Sequence, residues 1–364
     1  MKRTSIILAL ALVIALLTGC AGTPVVYYSD CTCPAGAHTE TTPVETTIPV
    51  ETTEPAPVVE GAVKTGVAIV ASALESKSAG DADGEAKYDV SVVAVTVDDN
   101  GVIQSCIIDS IGTSVLFDVN GAIVSDLTAE IPTKNELGDD YNMKLYGNAV
   151  AEWYEQAAAL ASFACGKTVE ELRAGAVDET GHAVDADLAT SATIYLGGYV
   201  SAIENAVFNA QHLGAQAGDE LKLAISSSVD GSKNADAENE GLCELYTTAV
   251  ALTMKDGVIT SAQIDAVQGK VNFDVTGTIT GGTDGIFATK NMLGEQYGMV
   301  AWGGAIAEWD QQAASFAAYI TGKTADEVAG IAVDESTKPT DADLLTSVTI
   351  KIGEFQALIA KACN

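Results

Sequence analysis

A hydroxyl-rich segment occurs twice in the sequence, each time behind an aspartate. Residues 187–193 read DLATSAT, and residues 343–349 read DLLTSVT. The last hydroxyl of each segment belongs to Thr193 or Thr349 and follows small residues, an arrangement that lets a modifying enzyme reach it. A second interpretation is structural, because the residues that follow alternate in polarity: a plain β-strand with Thr193 and Thr349 on its solvent face.

The two segments resemble the attachment motif of the bacterial FMN-binding domain family of surface flavoproteins. In that family the last hydroxyl of the motif carries FMN through a phosphoester bond. Serine stands here where the motif has glycine, and the second copy has Val348 where the motif has alanine. The resemblance implies covalent FMN held by Asp187, Ser191 and Thr193 in one copy and by Asp343, Ser347 and Thr349 in the other.

A lysine and a tyrosine also recur together. Lys134 lies seven residues before Tyr141, and Lys290 lies seven residues before Tyr297. An ammonium group for phosphate and an aromatic ring for a base or flavin suit a nucleotide-like ligand. The alternative is a loop lysine that pairs with a local carboxylate, while the tyrosine packs in the core.

Standard catalytic and metal-binding motifs do not occur in the sequence. Only three histidines are present, and neither His182 nor His212 has a counterpart in the second copy, so no catalytic residue and no metal site is predicted. The acidic stretches 81–85 and 236–240 do not fit a calcium loop and are interpreted as hairpin tips. Gly166-Lys167-Thr168 lacks the upstream glycine of a phosphate-binding loop and is typical of a helix end.

The N-terminus predicts export and a lipid anchor. A basic start and an apolar run lead to Leu17-Thr18-Gly19-Cys20, which resembles a bacterial lipoprotein signal with cleavage after residue 19 and lipid on Cys20. Residues 20–61 are rich in Thr, Glu and Pro, a composition that predicts a disordered tether. The expected location is the extracytoplasmic face of the bacterial cell membrane. The pairing of the other cysteines stays open: Cys31, Cys33, Cys106, Cys165, Cys243 and Cys363.

The charge balance limits the possible partners. The chain has 50 Asp and Glu against 18 Lys and Arg, a formal net charge of −32. A field of that sign repels phosphate backbones and therefore excludes nucleic acid as a partner. The partners left are the membrane, through the lipid, and a small nucleotide-like or envelope ligand.

The secondary-structure elements that position these residues belong to an internal repeat that occurs twice in the sequence. Residues 115–119, 133–138, 151–153 and 185–188 recur 156 positions later, which predicts tandem domains at 62–214 and 218–364. Each copy opens with alternating β-branched runs joined by turn signals, then continues with helical patterns at 149–164 or 305–320 and near 198–209 or 353–362. The predicted class is α+β, with an antiparallel sheet packed against helices in each copy.

Two functions follow from the sequence. The first is a lipid-anchored binding or redox protein with FMN-binding-like repeats that carries covalent flavin for extracellular electron transfer. The second is a non-catalytic surface lipoprotein that binds a solute or another protein. A hydrolase ranks last, because no nucleophile and base occur together.

Overall fold

The computed structural model describes residues 61–363, and this part of the chain has the α+β fold that the sequence predicts. It contains two four-stranded antiparallel sheets and several helices. The signal at 1–19, the tether up to residue 60, and Cys20, Cys31 and Cys33 lie outside the described residues. No described helix is long and apolar enough to cross a membrane.

The first copy begins with three long strands and continues with six helices. The strands are β1 Lys64–Ser72, β2 Gly84–Val97 and β3 Ile103–Phe117. The helices are α1 Lys134–Leu137, α2 Met143–Gly147, α3 Trp153–Ala164, α4 Val169–Ala176, α5 Ala186–Ser191 and α6 Gly197–Phe208, with a 3₁₀ turn at Gly138–Tyr141.

The second copy repeats this order and adds two short strands. Its strands are β4 Glu220–Ser228, β5 Gly241–Lys255, β6 Val258–Phe273, β7 Ile279–Gly281 and β8 Ile286–Phe287. Its helices are α7 Lys290–Leu293, α8 Met299–Gly303, α9 Trp309–Ile320, α10 Ala325–Ala329 and α11 Gly353–Cys363, with 3₁₀ turns at Gly294–Tyr297 and Leu344–Thr346. One sheet has the order β3-β2-β1-β8 and the other β4-β5-β6-β7.

The core has three parts because both faces of each sheet are buried. Side chains of β1, β2 and β3 pack against side chains of β4, β5 and β6 in a central cluster, so the sheets lie face to face. The outer face of the first sheet packs on α3, α4 and α6. The outer face of the second sheet packs on α9, α10 and α11. The layers are therefore helices, sheet, sheet and helices.

Contacts between the copies are reciprocal. Ala79 N donates to Gly277 O, and the equivalent Ala235 N donates to Gly121 O, both at 2.8 Å. The equivalent rings of Phe117 and Phe273 stack on each other with their centroids 4.2 Å apart. In the isologous interface of a two-fold dimer, each contact occurs twice with the partners exchanged, and a residue near the axis contacts its own equivalent. The two copies thus pack as the subunits of a homodimer do.

The predicted hairpins are confirmed, and the main helices are confirmed with shorter starts. The helices predicted from 149 and 305 begin at Trp153 and Trp309, because Glu152 and Glu308 act as their N-caps. Thr168 also caps α4 in a capping box with Glu171, as the sequence predicts.

Candidate functional site

The hydroxyls of Thr193 and Thr349 face a buried glutamine. Gln156 Oε1 accepts hydrogen bonds from Thr193 N at 2.7 Å, Ile194 N at 3.1 Å and Thr193 Oγ1 at 3.3 Å. Gln312 Oε1 accepts the same three bonds in the second copy, at 2.8, 3.2 and 3.1 Å. Both glutamines are fully buried in the main helix of their copy. Each glutamine therefore fixes the connection that carries its threonine.

This connection is irregular, and the alternative of a plain β-strand is wrong. Residues 186–191 form α5, residues 192–196 have no regular structure, and α6 begins at Gly197. The N-cap of α5 is Asp185, whose side chain accepts from the first N–H groups of the helix. Asp187 does not cap this helix. The hydroxyls of Ser191 and Ser347 donate to the backbone oxygens of Asp187 and Leu344. The side chains of Asp187 and Asp343 are exposed.

Lys290 is enclosed by aromatic rings. Its Nζ lies 4.6 Å from the ring centre of Tyr246 and 4.8 Å from the ring centres of Tyr297 and Trp309. It also donates a hydrogen bond to Tyr246 Oη at 2.8 Å. Burial lowers the pKa of Lys290 to about 8, although Glu354, Asp265 and Glu244 act in the opposite direction.

The first copy has a looser version of this arrangement. Lys134 Nζ lies 5.3 Å from the ring centre of Tyr141 and 5.1 Å from that of Trp153. The third ring is missing, because Asp89 occupies the position of Tyr246. The structure therefore brings each lysine to its predicted tyrosine, but the rings serve as partners of the lysine itself.

Sequence reasoning missed two buried aspartates beside these lysines. Asp265 Oδ1 accepts from Ala266 N at 2.8 Å and Asn291 N at 3.1 Å, and Asp109 Oδ1 accepts from Ser110 N and Asn135 N. Burial raises the pKa of Asp265 to about 6 and also raises that of Asp109. The signal in the sequence was an aspartate repeated at the same spacing of 156 inside a matched strand.

A cavity of about 470 Å³ lies next to Trp309 and Tyr246 in the second copy. Three of its residues are acidic and three are aromatic, and Lys351 is the one cation among them. Two carboxylates are tied within the protein: Ser226 Oγ donates to Glu354, and Glu244 lies 3.5 Å from Lys270. The lining residues are Ser228, Asp230, Glu244, Tyr246, Trp309, Thr337, Ile350, Lys351, Glu354 and Phe355.

The first copy does not keep this lining. Its residues at the positions of the three carboxylates are Leu74, Lys87 and Gly198. Tyr195 replaces Lys351, and its ring lies against Gly181, where an added Cβ would be 2.1 Å from the ring. Another open cavity of about 450 Å³ exists in the first copy, but Leu74 and polar groups including Lys77, Glu75 and Lys87 line it, without an aromatic ring.

Thr337 stands in this lining with an unusual backbone. Its φ is +65°, and the equivalent Gly181 has a φ of +78°. A β-branched residue in the left-handed region costs on the order of 1–3 kcal/mol. The second copy thus holds a strained hydroxyl residue at the wall of the cavity, where the first copy has glycine.

The described residues contain no group of three or more His, Cys, Asp or Glu side chains placed to hold a metal ion. Comparison with known proteins gives no match to a family model, to a curated protein or to a solved structure. The functional argument therefore depends on the geometry of this chain.

Proposed function

We propose that the chain is a lipid-anchored, extracytoplasmic binding protein whose ligand site is the cavity of the second copy. The N-terminal sequence supports the anchor and the location. The lining of the cavity supports binding: aromatic walls, charged groups and a volume of about 470 Å³ suit a small organic molecule.

The ligand class follows from the charges. The lining has three carboxylates, Asp230, Glu244 and Glu354, against the one cation Lys351, and Lys270 offsets the charge of Glu244 from 3.5 Å away. The rings of Tyr246, Trp309 and Phe355 add aromatic surface to the lining, although Lys290 already lies against Tyr246 and Trp309. A small solute that carries an ammonium group and an apolar part satisfies both features. The single observation behind this proposal is that the second copy alone combines the carboxylates with the rings.

Covalent flavin stays a second candidate, favoured by one observation. Thr193 is an exposed residue on a fixed connection between two helices, with its hydroxyl bonded to Gln156 Oε1 at 3.3 Å. The second copy fits FMN less well, because the carboxylates of its cavity oppose a phosphate near Thr349. The lysines predicted to bind phosphate are bound to aromatic rings. The geometry therefore favours an ammonium-bearing solute over FMN in the second copy.

The binding proposal is tested by titration calorimetry of the full lipidated chain in detergent. The probes are tetramethylammonium, 1,4-diaminobutane and glucose as a neutral solute. We expect the amines to bind and the Glu354→Gln variant to bind about tenfold more weakly, equivalent to ~1.4 kcal/mol. The matched control is Glu75→Gln in the cavity of the first copy, which should leave the affinity unchanged.

Two results would contradict the proposal: no heat with either amine, or equal losses in both variants. The intact mass of the same preparation distinguishes the flavin candidate. A protein that was produced with a flavin transferase and shows an added FMN mass, absent after Thr193→Ala, would establish the flavin.

A further inference from the structure

Two cysteines of the first copy lie together at the edge of its sheet. Cys106 is in β3, the edge strand, and Cys165 is the C-cap of α3. The residues next to Cys165 are bound to the start of β3, since Gly166 N donates to Ile103 O at 2.8 Å and Ile103 N donates to Lys167 O at 2.9 Å. The end of α3 is thus fixed against this strand.

The two cysteines are near neighbours here, and both are free thiols in the structure. Each influences the pKa of the other: the Cys106 backbone N–H lowers the pKa of Cys165, and the Cys165 thiol raises the pKa of Cys106. The sulfur of Cys165 also contacts Ala161 O at 3.3 Å. Burial is the largest influence on both groups and raises the pKa of each thiol.

The second copy shows that the fold does not need these thiols. Ala262 stands at the position of Cys106, and Thr321 stands at the position of Cys165. Thr321 Oγ1 bonds to Ala317 O at 3.1 Å and so reproduces the backbone contact of Cys165. Cysteine therefore occurs at both positions of the first copy and at neither position of the second. Such joint occurrence at neighbouring positions indicates that the two thiols act as a pair.

We propose that Cys106 and Cys165 form a disulfide that joins the end of α3 to the edge of the first sheet. Both thiols lose their protons and together give up two electrons to a disulfide oxidant of the exported compartment, which is reduced to two thiols. A raised thiol pKa slows attack from the folded protein, so the bond forms during folding after export. The proposal needs export but does not depend on the ligand of the second copy.

The bond would fix the helix that positions Thr193. Gln156, which holds the backbone at Thr193 and Ile194, lies in the first turn of α3. A disulfide at the end of α3 restrains the unfolded chain. In the folded protein it supports the helix that holds the connection at Thr193.

The test is a peptide map of the full chain. The protein is unfolded, reduced, refolded with oxidised and reduced glutathione, alkylated and digested with trypsin without reductant. We expect a linked pair of the peptides 88–134 and 145–167, lighter by two hydrogens than their sum. The Cys363→Ser variant should keep this pair, and Cys106→Ser should lose it.

A second variant separates the bond from folding. Cys106→Ala/Cys165→Thr carries the residues of the second copy and should fold without the link. We expect reductant to lower the Tm of the oxidised wild type by at least about 4 °C and to leave the Tm of this variant unchanged. Alkylated cysteines in both peptides of the refolded wild type, or the same response to reductant in the variant, would overturn the proposal. Neither result bears on amine binding.

Discussion

At the scale of single residues, the buried aspartates explain why the segments after the strands are held in place. Asp265 is 2% exposed and receives two backbone N–H groups, one of them from Asn291 at the start of α7. The matched Asp109 does the same for α1. These bonds place Lys134 and Lys290 beside their rings. The sequence does not predict that Asp265 accepts a bond from Asn291 N, because the two residues are 26 positions apart.

Asp265→Asn should change how stability depends on pH. The pKa of Asp265 is about 6 in the folded protein and near 4 when unfolded, so the folded state binds more protons between these values. The contribution of Asp265 is therefore most favourable below pH 4 and is lost as the pH rises to 6, by up to ~3 kcal/mol.

Urea unfolding of both proteins at pH 4 and pH 7 measures this effect. The stability of the variant relative to wild type should rise between the two pH values, because asparagine does not titrate. Asp274→Asn is the control of opposite sign: donors lower the pKa of that exposed carboxyl, so the stability of this variant relative to wild type should fall as the pH rises. A constant difference between Asp265→Asn and wild type would contradict the assignment.

At the scale of elements, one buried carboxylate connects two helices in each copy. Glu308 is the N-cap of α9, and its carboxylate also accepts from Met299 N at 2.8 Å and Val300 N at 3.0 Å at the start of α8. Glu152 makes the equivalent bonds for α2 and α3. The five-residue helices α2 and α8 depend on this contact, because they contain no buried residue.

Glu308→Ala should release α8 while α9 persists. The variant leaves the first N–H groups of α8 without an acceptor, at a cost of about 1–3 kcal/mol. Hydrogen exchange of residues 299–303 should become fast, whereas exchange in the core of α9 should stay slow. Glu295→Gln, an exposed change in the same region, serves as the control. Slow exchange in α8 of the Ala variant would show that the helix has another support.

Local patterns predicted most elements but failed at connections. Alternation and turn residues gave the long hairpins, and capping boxes gave the helix starts near Thr168. The connection after Ser191 was the exception: its alternating residues resemble a strand, but three bonds to Gln156 hold it in an irregular path. Gln156 is 37 residues before Thr193, and hydrophobic periodicity describes only neighbouring residues, so it could not predict this contact.

At the scale of the whole molecule, the shared core sets the folding unit. The sequence predicted two domains from the repeat, and the structure shows large apolar side chains of each copy packed between the sheets. Alternating apolar and polar residues in a strand show which face of the sheet is buried. They do not show whether a helix or the other sheet packs on that face. The cavity could not be predicted for the same reason, since its lining comes from the end of β4, from β5, from α9, from the turn at Thr337 and from the residues around the start of α11.

Separated copies should therefore not fold alone. We expect residues 62–214 to lack a cooperative thermal transition as a monomer, because the face of its sheet that includes Phe117 would be exposed to water. Mixing with residues 218–364 should restore a one-to-one complex with a cooperative transition. Light scattering coupled to gel filtration, with a thermal melt of each peak, measures both. A monomeric 62–214 fragment that melts cooperatively would contradict this expectation.

The short strand β8 belongs to the second copy in sequence but pairs with β1, where Phe287 lies opposite Ala71. Recombination that lost or exchanged the second copy would remove a strand from the sheet of the first. The two sheets are therefore expected to evolve together. The cavity lining belongs to the second copy alone, so it can change without altering this strand pairing.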